Sequence, residues 1–121
     1  MPYQALYDAA ASAFNAKKYK EAIHIYSELL TKEPGLTELR NYRAYCYYFS
    51  REYMNSIMDL DFMISNGESG SNIYNLYNLR GSNYYNLGNK EEACRNYKVA
   101  ADMGDKDGLD NYAKLCQSTK K

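Results

Sequence analysis

Small and large apolar residues recur along this chain at helical spacing, in sets that repeat after 34 and then 37 positions. In the stretch KYKEAIHIYSELLTKEP, Tyr19, Ala22, Tyr26 and Leu29 are three or four residues apart, as they are on one face of an α-helix. The corresponding sets are Tyr53, Ser56, Leu60 and Met63, then Lys90, Ala93, Tyr97 and Ala100. The pattern therefore predicts three equivalent helices.

A second stripe at helical spacing precedes each of these helices. Its members are Ala10, Ala13 and Phe14 in the first unit, Ala44, Tyr47 and Tyr48 in the second, and Gly81, Tyr84 and Tyr85 in the third. Short polar turns, NAKK, SRE and NLGN, separate the two stripes, so each unit is predicted to be a helical hairpin. Ala10, Ala44 and Gly81 are the small residues expected where the two helices cross at close range.

Turn-forming residues mark the ends of these hairpins. We expect Gly88 to take a positive φ in the third turn and Pro34 to end the first hairpin. The segment NGESGSN, with Gly67 and Gly70, separates the second unit from the third, and Ser71 or Asn72 is the expected N-cap of the next helix.

The C-terminal stretch DKDGLDNYAKLCQSTKK predicts one further helix. Leu109, Tyr112, Ala113 and Cys116 have helical spacing, and Asp105 or Asp107 is a suitable N-cap. Because the last hairpin of a repeat stack exposes its inner face, this helix is expected to cover that face with its apolar stripe.

These repeats resemble the tetratricopeptide repeat (TPR) family in their period, their small crossing residues and the near-consensus stretch RGSNYYNLGNKEEACRNYKVA. The resemblance implies an all-α fold: a right-handed superhelical solenoid of three antiparallel helical hairpins in a single domain over residues 1–121. The repeats are expected at about 3–36, 37–70 and 74–106, with a capping helix at about 107–118. The middle copy departs most, because Arg40 replaces a large apolar residue and Ser56 replaces alanine.

Composition and charge exclude several classes of function. Fifteen basic residues balance fifteen acidic ones, so we expect no nucleic-acid partner. There is no apolar run of the roughly 20 residues that a bilayer span requires, so no membrane association is expected. The N-terminal residues lack the features of a secretory signal, and the expected location is the cytoplasm. The three cysteines form no C-x-x-C pair and are expected to be free, mostly buried thiols.

Catalytic and cofactor motifs are absent from the sequence. It contains no glycine-rich phosphate loop, and its single histidine is accompanied by no Cys/His cluster, so neither a metal nor another cofactor is expected. The neighbouring carboxylates Asp59 and Asp61, like Glu91 and Glu92, are interpreted as solvated helix faces rather than acid/base pairs. We therefore predict a non-enzymatic protein.

The resemblance implies that the first helices of the hairpins line a concave groove that holds a peptide or helix of a partner protein. Taking the face of each first helix turned away from its second, the predicted peptide-binding residues, beside Ala11, are Tyr7, Phe14, Asn41, Tyr45, Tyr48, Asn78, Ser82 and Tyr85. They carry no charge, so binding is expected to depend weakly on ionic strength. An alternative interpretation, as packing between hairpins, applies to Tyr48 and Tyr85 and less strongly to Tyr45 and Asn78.

Two further hypotheses concern the partner. Co-chaperones of this family that grip an acidic C-terminal tail use five positions: lysine and asparagine on the first hairpin, asparagine on the second, and lysine and arginine on the third. The matching residues in this sequence are Tyr7 and Ala11, Tyr42, then Asn75 and Leu79. None has the expected side chain, so such a tail is not the expected ligand. The alternative function is self-association, as a homo-oligomeric scaffold, through the groove or through the methionine-rich second repeat with Met54, Met58 and Met63.

Overall fold

The computed structural model describes residues 3–67 and 72–117. Over these residues it contains seven α-helices and a short π-helical segment, and no β-strand. The α-helices are α1 (Gln4–Asn15), α2 (Tyr19–Lys32), α3 (Thr37–Phe49), α4 (Tyr53–Ser65), α5 (Ile73–Asn86), α6 (Lys90–Asp102) and α7 (Lys106–Tyr112), and the π-helical segment is Ala113–Gln117. The predicted all-helical fold is confirmed.

The chain divides into two compact units, residues 1–63 and residues 64–121. The first unit contains α1, α2, α3 and most of α4, and the second contains α5, α6 and α7. The arrangement of the whole chain as a single domain stays a prediction.

The core of the first unit is built on the predicted stripes. Ala10 of α1 and Ala22 and Leu29 of α2 have no exposed surface. Leu39 and Cys46 of α3 join the same cluster of buried residues. Ala10 is buried at the position where the sequence pattern predicts a close crossing of α1 and α2. A longer side chain there would push the two helices apart.

Polar contacts join α3 to α4 in the interior. Ser56, in place of the alanine expected from the repeat, has no exposed surface, and its hydroxyl donates a hydrogen bond of 2.8 Å to the carbonyl of Ala44. The hydroxyl is therefore satisfied without water, as a buried polar group requires.

A buried ion pair corrects the interpretation of Asp59 as a solvated residue. Asp59 is 2% exposed, and it accepts hydrogen bonds from Arg43 at 2.9 Å and 2.7 Å. Arg43 also donates to the hydroxyl of Ser27 in α2 at 3.0 Å, so one guanidinium joins three helices. Arg40 lies 3.3 Å from the same carboxylate and 3.8 Å from the ring centre of Phe62, which explains its place at a position expected to be apolar.

The three hairpin turns share a left-handed residue at the same position. Gly88 has a φ of 84°, as predicted. Lys17 and Arg51 hold the corresponding positions in the first two turns, with φ values of 63° and 66°. Residues other than glycine rarely adopt this left-handed region of backbone conformation, so Lys17 and Arg51 are strained.

The remaining predicted helix ends have mixed outcomes. The helix α2 ends at Lys32, just before Pro34. Asn72 precedes α5 but makes no side-chain capping hydrogen bond. Gly70 and Ser71 lie outside the described residues.

Helix α7 packs on α6 through Gly108. The apolar stripe predicted for the C-terminal helix is wrong at Leu109 and at Ala113, which are both exposed. Gly108 is buried, and a Cβ atom added to it would lie 2.7 Å from the Cβ of Ala100 and 2.9 Å from the nitrogen of Ala101. Leu109 is 57% exposed. The backbone approaches so closely that only a residue without a side chain fits between the helices, which rotates Leu109 toward solvent. Asp105 caps the helix by accepting a hydrogen bond from the nitrogen of Gly108 at 2.8 Å.

The cysteines also differ from the prediction of three free thiols. Cys94 of α6 and Cys116 of the π-helical segment form a disulfide, with their Cα atoms 5.7 Å apart. Cys46 is the free cysteine, and its burial raises the pKa of the thiol to about 12. Absence of a C-x-x-C motif did not exclude a pair, because the fold brings together residues 22 positions apart. Disulfides are rare in cytosolic proteins, so the cytoplasmic location stays a prediction.

Candidate functional site

A cavity of about 500 Å³ opens on the first unit. Residues of α1, α2 and α3 line it, together with Leu36 just before α3. Four of the lining residues are aromatic, namely Tyr7, Phe14, Tyr26 and Tyr42. Its size and apolar walls are typical of ligand-binding clefts in proteins.

The aromatic rings hold one another in place. Tyr42 is stacked on Tyr26 with ring centres 5.7 Å apart and an angle of 12° between the planes. Phe14 meets Tyr42 edge to face at 6.1 Å. Tyr26 is 5% exposed whereas Tyr42 is 40% exposed, so a buried ring supports one that faces solvent. The cavity therefore has a preorganised aromatic wall, which reduces the entropy lost when a ligand binds.

Carboxylates also line this cavity, whereas the binding residues predicted from the sequence carry no charge. Asp8 and Glu38 line it. The hydroxyl of Tyr7 donates a hydrogen bond to Oε1 of Glu33, next to the C-terminal end of α2. That hydrogen bond, with a smaller contribution from burial, raises the pKa of Tyr7 to about 12, and the hydroxyl is neutral at physiological pH.

The cavity brings together two of the eight predicted binding residues. Tyr7 and Phe14 line it, as does Ala11 between them. Tyr42, Asp8 and Glu38 also line the cavity and were not among the binding residues predicted from the sequence. Helical spacing contained the relevant information, because Glu38 and Tyr42 are four residues apart and therefore lie on one side of α3.

The predicted binding residues of α3 are partly buried at other positions. Tyr45 stacks on Phe49 with ring centres 6.3 Å apart, and its burial raises the pKa of its hydroxyl. Tyr48 packs edge to face on Phe49 at 5.5 Å and on Tyr53 at 5.9 Å. The contacts of Tyr48 are consistent with its alternative interpretation as a packing residue, although Tyr53 belongs to the same hairpin. Its role in binding stays a prediction.

Two predicted binding residues of α5 make hydrogen bonds within the second unit. The amide of Asn78 donates to Asp105, the cap of α7, and the hydroxyl of Ser82 lies 2.9 Å from the hydroxyl of Tyr97 in α6. Both residues therefore have a structural role, whether or not they also bind a ligand. Tyr85 is 43% exposed.

Asn78 and Asn41 share one further property. They are 37 residues apart and occupy the same position in successive hairpins. Within the part of the chain that the structure describes, the Oδ1 atom of each is buried and accepts no hydrogen bond. Whether these oxygens bind a ligand stays a prediction.

The part of the chain that the structure describes has neither a metal-binding cluster nor a membrane-spanning helix. Within residues 3–67 and 72–117 there is no group of three or more His, Cys, Asp or Glu side chains that could hold a metal ion. Over the same ranges, none of the helices has the length and apolar character needed to cross a bilayer.

Two solved structures resemble this chain over most of its length. The first TPR of Spaghetti (RPAP3), bound to the HSP90 peptide SRMEEVD, has a TM-score of 0.81 and 21% sequence identity, covering 94% of this chain and 90% of the other. The first TPR domain of the human RPAP3 protein has a TM-score of 0.80 and 22% identity, covering 97% of this chain and 93% of the other. Neither the protein-family models nor the curated protein sequences compared with the chain match it.

The helical hairpins and the two similar structures define the class as an α-helical repeat protein. More particularly, the chain has the fold of a tetratricopeptide-repeat domain, as its sequence pattern predicted.

Proposed function

We propose that this protein is a non-enzymatic interaction module that binds a peptide or helix of a partner protein in the cavity of its first unit. The observation that carries the proposal is the cavity of about 500 Å³, with its aromatic wall of Phe14, Tyr26 and Tyr42. Exposed tyrosine supplies a large contact area at low entropic cost. The similar RPAP3 domain carries a bound peptide, which supports a peptide as the kind of ligand.

The ligand of that RPAP3 domain is not the ligand we propose here. The peptide SRMEEVD contains three carboxylate side chains and one arginine. The cavity of this chain presents Asp8 and Glu38, and like charges brought together at an interface oppose binding. The five positions of the tail-gripping co-chaperones, from Tyr7 to Leu79, also lack a basic residue.

Peptide selection followed by two matched substitutions tests the proposal. A library of random peptides displayed on phage is selected on the immobilised protein, and the enriched peptides are synthesised. Tyr42→Ala is expected to weaken their binding about 30-fold, because it removes the exposed ring of the cavity wall. Tyr85→Ala removes a tyrosine of similar exposure outside the cavity and should leave the affinity within about twofold.

Two outcomes of the same experiment would contradict the proposal. If Tyr85→Ala weakens binding and Tyr42→Ala does not, the ligand binds elsewhere and the cavity is not the site. If no peptide is enriched over a surface without protein, the peptide-binding function itself is wrong. The melting temperature of each variant separates a loss of contacts from a loss of folding.

A second candidate function is self-association, which an exposed apolar stripe on α4 favours. Met54, Met58 and Phe62 are spaced by four residues and are 57%, 64% and 39% exposed. The third methionine named from the sequence, Met63, is 4% exposed and belongs to the core. Exposed apolar side chains in a row are typical of protein contact surfaces, and methionine adapts to irregular partners.

Light scattering over a concentration series tests self-association. The wild-type protein is expected to show a mass that rises with concentration, and Met58→Lys is expected to remain monomeric at every concentration. A wild-type mass that stays at 14.0 kDa would contradict this second proposal.

A further inference from the structure

We propose that the cavity selects a basic side chain, lysine or arginine, as the anchor of the bound peptide. This inference rests on the proposed function and names the chemistry of the partner. It combines two observations on one cavity, which is lined by the carboxylates of Asp8 and Glu38 and by the exposed ring of Tyr42. Both features belong to one cavity, and each of them attracts a cation.

The charges at the cavity are negative. Asp8 and Glu38 line it, and the carboxylate of Glu33 accepts the hydrogen bond of Tyr7. Asp8 accepts a hydrogen bond from the amide of Gln4, and Glu33 accepts one from the hydroxyl of Tyr7. Both donors are neutral, so these contacts do not cancel the carboxylate charges. Among the described residues, no lysine, arginine or histidine lines the cavity.

The basic residues of α3 do not supply the missing positive charge. Arg40 and Arg43 both extend to the buried carboxylate of Asp59. The hydrogen bond with Asp59 raises the pKa of Arg43 and holds its guanidinium at that site. Neither arginine of α3 therefore supplies a cation to the cavity.

The aromatic wall presents a surface that suits a guanidinium or ammonium group. Tyr42 is 40% exposed, and Tyr26 and Phe14 fix the orientation of its ring. A cation attracted by nearby carboxylates gains further energy when it lies within about 6 Å of an aromatic ring. An arginine can stack its flat guanidinium on the ring while it donates hydrogen bonds to a carboxylate at the edge.

The protein already uses the same pairing elsewhere. The guanidinium carbon of Arg40 lies 3.8 Å from the ring centre of Phe62 and that of Arg80 lies 5.2 Å from the ring centre of Tyr77. In the first of these contacts the arginine also meets a carboxylate, Asp59, at 3.3 Å. A carboxylate beside an exposed ring is therefore a combination that binds arginine within this chain.

The first test is the composition of the selected peptides. Peptides enriched from the random library on wild-type protein are expected to contain lysine or arginine at a common position. The double variant Asp8→Asn, Glu38→Gln should lose this enrichment, and it should keep the wild-type melting temperature because both carboxylates are exposed. The matched control neutralises two exposed carboxylates of α6, Glu91→Gln and Asp102→Asn, and should select the same basic peptides as the wild type.

The second test measures affinity for one synthetic peptide from that selection. Replacing its basic residue by norleucine, which keeps the apolar stem and removes the charge, is expected to weaken binding about tenfold. The affinity of the parent peptide should fall as sodium chloride rises from 50 to 300 mM, and this fall should be smaller in the Asp8, Glu38 double variant.

The outcomes separate this inference from the proposed function. If peptides bind and Tyr42→Ala weakens them, but the enriched sequences share no basic residue, the cavity binds peptides and the inference of a basic anchor is wrong. Tight binding of the peptide SRMEEVD by the wild-type protein, unaffected by neutralising Asp8 and Glu38, would overturn it as well. If Tyr42→Ala has no effect on any selected peptide, the proposed site itself is wrong.

Discussion

Arg43 of α3 holds Asp59 of α4 through two hydrogen bonds, of 2.9 Å and 2.7 Å, in the interior of the first unit. The same spacing of sixteen residues recurs in the next hairpin, where Arg80 donates to Asn96 at 2.8 Å. Asp59 and Asn96 are both buried. Successive hairpins therefore use the same pair of positions for a polar contact. The acceptor is a charged carboxylate in one hairpin and a neutral amide in the other.

Removing Asp59 is expected to be strongly destabilising. Asp59→Ala leaves Arg43 in the interior without its ionic partner, and we expect the free energy of unfolding to fall by about 3 kcal/mol. Asp102→Ala is the control, because its ion pair with Lys98 is exposed and should contribute less than about 0.5 kcal/mol. Urea denaturation measures both, and equal losses in the two variants would contradict the role given to the buried pair.

A methyl group at Gly108 should loosen α7 from α6. The added Cβ of Gly108→Ala meets the Cβ of Ala100 and the backbone of Ala101, so we expect a loss of about 2 kcal/mol from overpacking. Gly35→Ala places the same group where no atom lies within 4 Å and should not destabilise the protein. Thermal unfolding followed by circular dichroism compares the two variants. An unchanged melting temperature for Gly108→Ala would show that α6 and α7 are far enough apart at this point to accept a methyl group.

Loss of the disulfide should destabilise the second unit. Cys94 and Cys116 are 22 residues apart, and a crosslink over a loop of that length lowers the entropy of the unfolded chain by the equivalent of about 3 kcal/mol. The double variant Cys94→Ala, Cys116→Ala is expected to lose that amount. Reducing agent should lower the melting temperature of the wild type but not that of the variant, and a wild type insensitive to reduction would contradict the crosslink.

Glycine in the first two turns should stabilise the protein. Lys17→Gly and Arg51→Gly remove side chains from left-handed backbone positions, and each is expected to add up to about 1 kcal/mol to the free energy of unfolding. Gly88→Ala, which places a side chain at the equivalent position of the third turn, should have the opposite effect. Destabilisation by all three substitutions would show that the side chains of Lys17 and Arg51 make contributions that outweigh the backbone strain.

Stability should fall at alkaline pH through Tyr26. Burial raises the pKa of this hydroxyl from 10.0 to about 12, with smaller contributions from Cys46 and Tyr42. The neutral form is favoured in the folded state, so this contribution to stability is complete below pH 10 and is lost between pH 10 and about 12. Tyr26→Phe cannot ionise at this position, and its free energy of unfolding should decline less steeply over that range than that of the wild type.

The repeat pattern predicted the helices because it depends on which side of each helix is apolar. Ala10, Ala44 and Gly81 are buried where the pattern placed them, since close helix crossings tolerate only small side chains. Periodicity could not identify the partner of a charged residue. Asp59 reads as a surface carboxylate until α3 brings Arg43 beside it, and Leu109 reads as a buried residue until the contact at Gly108 rotates it outward.

The candidate site was harder to predict than the helices for a related reason. Tyr7 and Phe14 follow from the face of a single helix, whereas the cavity also depends on Tyr26 and Tyr42 from two other helices. The distance and angle between the rings of Tyr26 and Tyr42 depend on the packing of α2 against α3. No pattern within one helix contains that information.

Burial of Cys46 has a consequence for the order in which the protein folds and oxidises. Three cysteines allow three pairings, but Cys46 is enclosed in the folded first unit and its raised pKa keeps it a thiol rather than a reactive thiolate. Oxidation after folding therefore yields the pair Cys94 and Cys116 alone. Oxidation before folding exposes all three sulfurs to exchange, so the two pairings that include Cys46 then compete with the native one, and packing of the helices before oxidation favours the native pair.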